Sequence, residues 1–343
     1  MAKRGRQSAH LRMVVLVTVA LVGAATACGG PPSARRPALL AMVGSQGAPV
    51  DRVDDSTVHD PSIAETDGAY YLFSTGVLDP QDPGGIAVHR SAGSLAGPWE
   101  SLGAIALPQW TRGYAVNHLW APHVTQSGAT YYLYYAASSF GSNHSAIGVA
   151  STKTPGDLTS WVDHGPIITS DTADDFNAID PMVVRAQGHW WITYGSFWSG
   201  IKLRRLLDMT HADDAETYSL AARPSVQNGP IEAPAILEHD GWFYLFVSWD
   251  YCCKGTESTY RTVVGRSKDV TGPYLDRDGA LMSDGGGTTA LESAGNQVGP
   301  GGGDVFQTKG TAYYVHHYYD ARVAGTPTLQ VREITWMDGW PHL

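Results

Sequence analysis

The chain is poor in three things, and each scarcity excludes something. It holds three cysteines in 343 residues, Cys28, Cys252 and Cys253. That rules out a disulfide framework and leaves stability to sheet packing. The apolar and small-residue run Met13–Ala25 is too short to span a bilayer as a helix. Positive charge is the third: the first 36 residues carry six of the 23 Lys and Arg and none of the 33 Asp and Glu, so 17 basic residues face 33 acidic ones in the remainder. Such a surface repels phosphate polymers, and no basic stripe interrupts it, so nucleic acid is not a partner.

What is present begins with a leader. Lys3, Arg4, Arg6 and Arg12 precede the Met13–Ala25 run without an acid among them, the pattern of an export signal over 1–27. It ends Ala25-Thr26-Ala27-Cys28-Gly29-Gly30, small residues before a cysteine. That resembles a bacterial lipoprotein processing site, in which Cys28 becomes the lipidated N-terminus and the only link to a membrane. The competing reading is ordinary signal cleavage nearby. Residues 28–50, rich in Pro, Ala, Gly and Ser, read as a flexible tether, and 51–343 as one folded domain with ample length for a large core.

That domain repeats itself. Glu232 sits two residues before Pro234; a short apolar run, Ala235–Leu237, leads through His239-Asp240-Gly241 into Trp242–Trp249, dense in aromatic and β-branched residues. The same hairpin recurs from His59-Asp60-Pro61, from Trp120-Ala121-Pro122-His123, from Ile179-Asp180-Pro181 and, degenerately, from Gly302-Gly303-Asp304. From the Pro, or Gly303 in its place, a turn glycine follows six or seven residues on in every copy. Five strand-rich units spaced by about 50–70 residues predict an all-β fold, a five-bladed β-propeller closed on itself so that no sheet edge is left open.

Closure brings equivalent repeat positions together near the axis. Asp60 and Asp180 stand directly before their prolines, which should hold the preceding residue extended, and Glu232 stands near its own. Three carboxyls from repeats one, three and four are thus expected in one funnel. They cannot all stay ionised cheaply, so at least one pKa should rise, as a general acid requires. A protonated and an ionised carboxyl about 6.5–9.5 Å apart with water between them carry out inverting glycoside hydrolysis. A carboxylate metal cage is the competing use, disfavoured because Glu232 differs in phase from Asp60. The 17 Tyr and 11 Trp suit stacking on sugar faces, although most such rings pack between blades. The adjacent Cys252 and Cys253 are compatible with a bridge or with two packed thiols.

The motifs His59-Asp60-Pro61, NHLWAPHV (117–124), NAIDP (177–181), YGSFWSGIKL (194–203), CCKG (252–255), STYRTVVGRS (258–267) and HYYD (317–320) resemble glycoside hydrolase family 43, in particular its arabinan endo-1,5-α-L-arabinosidases. The resemblance covers the chain from about residue 55 to its end. It implies Asp60 as general base, Glu232 as general acid and Asp180 as the residue that raises and orients that acid. Gly141, Asn177, Ser196, Phe197, Trp198 and Ser199 fall where family members contact sugar, as do Asp60 and Asp180. His317 matches the histidine that helps hold a hydrated calcium ion in the channel. The implied partner is arabinan or its oligosaccharides, acted on by a monomer.

Two positions depart from the family pattern. His123 stands where an Asp is usual, leaving the site one acid fewer, and Gly302 stands where a channel-side His is expected. The implied activity is endo-hydrolysis. The alternatives are an exo-acting α-L-arabinofuranosidase or β-xylosidase with the same acids in a blocked groove, and a sugar-binding propeller without catalysis. The last predicts loss of an acid, and all three are present.

Overall fold

All five expected hairpins form, and each supplies the two inner strands of an antiparallel sheet, four-stranded in four blades and five-stranded in blade three. The computed structural model describes residues 49–50, 57–76, 78–79, 82–114, 116 and 118–343; the leader 1–27, Cys28, almost all of the 28–50 tether and residues 51–56 lie outside them. The sheets are the blades of a five-bladed β-propeller. Their innermost strands are Ser62–Thr66, Trp120–Ser127, Met182–Ala186, Ile231–His239 and Gln297–Thr308. Blade five takes its outer strand from ahead of blade one: Pro49–Val50 pairs antiparallel with Arg332 and Val331. No helix among the described residues is long and apolar enough to cross a membrane.

Local chemistry accounts for the hairpins. In Asp67-Gly68, Gln187-Gly188, Asp240-Gly241 and Lys309-Gly310 both turn residues have positive φ, the geometry whose twist matches that of paired strands. Each second strand then buries at least one aromatic ring, Phe73, Tyr134, Tyr194, Phe246 and Tyr314 among them. Their partners lie on neighbouring blades: Phe73 packs in a cluster with Val124 and Leu133, and Tyr134 in one with Val183 and Ile192. The core is therefore a set of layers between blades, each ring contributing about 1.5–3 kcal/mol of burial.

At the inner edge the backbone does something the sequence did not announce. The residue before each repeat proline, or before Gly303 in its place, has positive φ: Asp60 (50°), Ala121 (40°), Asp180 (56°), Ala233 (51°) and Gly302 (57°). Pro61 therefore does not keep Asp60 extended, contrary to expectation. Such a residue costs about 1–3 kcal/mol, and tertiary bonds offset it. The Asp60 amide donates to His317 Nδ1 at 3.1 Å, and Thr75 Oγ1 donates to Asp60 Oδ2 at 2.7 Å. Glu232 also differs from expectation: it lies inside a nine-residue strand, paired with Ser248, and the register shift that follows is where Ala233 turns.

Candidate active site

The funnel at one end of the channel is a cavity of about 1040 Å³, large enough for several sugar rings. Asp60, Asp180 and Glu232 all line it, brought from three blades by ring closure. Gly141, Asn177, Ser196, Phe197 and Trp198 line it as well. Ser199 is not on that wall. Its amide donates to Asp175 O and its carbonyl accepts from Lys202 Nζ, so its backbone braces the turn that carries Phe197 and Trp198.

His317 is fully buried beneath Asp60, its ring stacked 3.8 Å from that of His59, and it lines neither the funnel nor the narrow space below it. The donors within 4.8 Å of one another there are His59, Asp60 and His317. Calcium takes six to eight oxygens, whereas this set offers one carboxylate and two imidazoles, and His59 and Asp60 already bond each other. These side chains do not by themselves form a calcium cage.

The departures from the family pattern resolve differently. His123 is not in the funnel; it is buried lower in the channel, Nδ1 at 2.9 Å from Asp304 Oδ2 and Nε2 at 3.1 Å from Val183 O. It ties blade two to blades five and three. At Gly302 an added Cβ would fall 2.4 Å from Asp60 Oδ1 and 2.5 Å from His317 Cε1. No side chain fits there.

The three carboxyls are driven apart in acidity. Burial would raise Asp60, but His59, whose Nδ1 lies 2.7 Å from Asp60 Oδ2, together with His317 and the Thr75 hydroxyl, outweighs it and holds Asp60 at about 2. Burial raises Glu232, with the Asp60 charge adding to it, against the donors Ser196 (2.6 Å to Oε2) and Tyr260, which bonds Oε1. Burial also raises Asp180, and the charges of Glu232 and Asp60 push it further up, although the Ala233 amide donates to it at 3.0 Å. One carboxylate stays ionised and two carboxyls are pushed toward holding protons, an acid and base division read from environment. Asp180 is itself driven toward the neutral form.

Several wall residues escaped the sequence reading. Trp120 and Phe140 pack together at 5.1 Å on one side, and Tyr251 packs at 5.9 Å against the expected Phe197 on the other. Phe140 is 77% and Trp198 43% exposed, and open aromatic faces in a cleft suit apolar sugar faces. Tyr260 lies within the STYRTVVGRS motif and His59 next to Asp60, yet nothing local marks either as a partner of a carboxyl from its own or another strand. Cys252 and Cys253 are bridged and sit on the cavity rim.

The family model for glycosyl hydrolases family 43 matches residues 53–341. The chain is 40% identical over 292 residues to an extracellular endo-α-(1→5)-L-arabinanase of Bacillus subtilis, covering 83% of this chain and 87% of that protein. It is 36% identical over 325 residues to an extracellular exo-α-(1→5)-L-arabinofuranosidase of Cellvibrio japonicus, covering 89% and 91%. A solved endo-arabinanase from Bacillus licheniformis superposes with a TM-score of 0.78 at 40% identity, over 85% of this chain and 99% of that one.

Proposed function

The chain belongs to glycosyl hydrolases family 43 and is a glycosidase, and from that premise we propose that it hydrolyses α-1,5-linked arabinan at internal bonds with inversion at the anomeric carbon. One observation carries the reading: one cavity is lined both by a carboxylate held at about 2, Asp60, and by a carboxyl raised by burial, Glu232.

Glu232 passes its proton to the leaving glycosidic oxygen, and positive charge develops on the furanose ring as that bond breaks. Ser196 and Tyr260 then hold the carboxylate left behind, one on each oxygen. Asp60 takes a proton from the water that attacks the opposite face. A carboxylate at about 2 is a weak base, so its task is to aim the water and accept the proton late, with His59 sharing the charge. Asp180, fixed by the Ala233 amide, keeps Glu232 in place. None of these steps passes through calcium.

The open, aromatic-walled cavity and the endo-acting relative favour internal cleavage; the exo-acting relative at 36% identity keeps release of single arabinose units as the second reading. Purified protein on linear arabinan decides between them. A ladder of oligosaccharides supports the endo reading, arabinose alone the exo reading, and no products sink both. Proton NMR of the newly formed reducing end, taken before mutarotation, reads inversion directly. The two extracellular relatives and the leader together support export. Retention on the cell surface through a lipid on Cys28 predicts that Cys28→Ala moves the activity into the medium; unchanged partition of that variant overturns the anchor.

A further inference from the structure

A line of hydrogen bonds runs from the rim of the funnel to the candidate base, and only its last link, His59 to Asp60, enters the base step above. It starts in the 250–258 loop, where the Cys253 amide donates to the Tyr319 hydroxyl at 2.7 Å. The same hydroxyl lies 2.9 Å from His59 Nε2, and His59 Nδ1 donates to Asp60 Oδ2 at 2.7 Å. Tyr319 is buried and His59 is stacked on the buried ring of His317, so neither can swing away without loss of packing. The movable end is the loop.

There the backbone takes an uncommon form. Cys253 has φ of 68°, a region that a non-glycine residue rarely occupies. The bond between Cys252 and Cys253 closes a small covalent ring around the peptide that carries this amide. Ring closure removes alternative conformations from that peptide. Opened, the same residue is free to return to negative φ and to turn its N–H away from Tyr319.

We propose that the Cys252–Cys253 disulfide is a positioning device for Asp60. It holds the Cys253 amide on Tyr319, Tyr319 holds His59, and His59 holds the carboxylate, so turnover depends on the oxidation state of the pair. The inference rests on the hydrolase reading above and adds redox control to the same site. Reduction places two electrons and two protons on the pair, giving two thiols and breaking only the sulfur–sulfur bond. With a phosphine as reductant, the phosphorus is oxidised to its oxide with oxygen from water. An exported protein meets conditions that keep the bridge closed.

The test compares wild type and Tyr319→Phe, each oxidised and each reduced with a water-soluble phosphine, on linear arabinan. Thiol titration confirms reduction and circular dichroism confirms the fold. Reduction of wild type lowers kcat roughly five- to tenfold, the effect of one lost hydrogen bond, with KM within about twofold. Tyr319→Phe shows a loss of similar size when oxidised and no further loss when reduced, because both changes cut one line. Equal kcat in the two states overturns the proposal, as does a change confined to KM, which marks the disulfide as a sugar contact, or a reduction loss that persists in Tyr319→Phe. Nitrogen-15 NMR of ring-labelled histidine, with His59 assigned by its absence in His59→Gln, supplies a readout free of substrate and of Tyr319→Phe. Reduction shifts the signal of His59 Nδ1, the nitrogen hydrogen-bonded to Asp60 and turned from the Cys253 sulfur, which lies 3.8 Å from Nε2; an unmoved Nδ1 signal overturns the proposal. Failure of oxidised wild type to cleave arabinan counts against the hydrolase reading, and the NMR comparison still decides the disulfide's part.

Discussion

Three carboxyls buried around one cavity repel one another, and the molecule tolerates this by giving each a different neighbour. Glu232→Gln removes the proton donor and Asp60→Asn the proton acceptor; each should lower kcat on arabinan about 10²–10⁴-fold with the fold intact. Glu232→Gln should retain far more activity on an aryl arabinofuranoside, whose leaving group needs no proton. Equal losses on both substrates refute the role of Glu232. Ser196 donates to Glu232 at 2.6 Å and so favours its ionised form. Ser196→Ala should therefore raise the acid's pKa and move the basic limb of the kcat/KM profile to higher pH; a limb that stays or falls removes Ser196 from this role. Asp180 is raised well above its ordinary value, first by burial and then by Glu232 and Asp60. A group raised on folding lends stability below its unfolded pKa and loses it as pH rises through its folded pKa. Asp180→Asn keeps an acceptor for the Ala233 amide, so it should raise Tm by about 2–4 °C at pH 8 and by nothing near pH 3, while activity falls. Calorimetry at the two pH values checks this, and a lower Tm at pH 8 would contradict the raised pKa of Asp180.

At the scale of the element, the entry to each inner strand is the unit that makes the site. Asp60, Ala121, Asp180, Ala233 and Gly302 occupy one position in five repeats and share positive φ. Two of them are acids of the site, and the other three are small. Gly302 must be small, since a Cβ there meets Asp60 Oδ1 at 2.4 Å. Gly302→Ala should displace Asp60 and cut kcat at least about tenfold, because catalysis depends steeply on placement, with little change in far-UV circular dichroism. Full activity in Gly302→Ala would show that Asp60 has room to shift without harm. This element was half legible. The Asp-Pro repeats and the turn glycines marked the positions, because residue identity repeats with period. The backbone conformation was not legible: local sterics before Pro61 favour the extended form, and only bonds to His317 and Thr75, 257 and 15 residues away in sequence, hold Asp60 otherwise.

For the whole molecule, stability lies between blades and at the C-terminal hairpin. The C-terminal hairpin docks on blade four: Trp340 and Leu343 are buried in its cluster, Tyr244 donates to Gly339 O at 2.6 Å, and Trp336 stacks on His239 at 3.6 Å. Trp340→Ala should cost about 3–5 kcal/mol in denaturant unfolding, and a cost under about 1 kcal/mol, the level of an ordinary surface change, would place the hairpin outside the cooperative core. The linear sequence determined the number of blades, the hairpins, the three acids and the family, because these are written in short motifs whose spacing survives without contacts. Only the tertiary structure decided that His123 belongs to a cross-blade clasp with Asp304, that Ser199 lies off the cavity wall, and that Tyr260, His59 and Thr75 hold the acids. It also decided which carboxyl is ionised. The reason is physical: acidity and orientation are set by burial and by partners that ring closure brings from distant blades, and neither burial nor a distant partner leaves a mark on the residues beside a carboxyl in the chain.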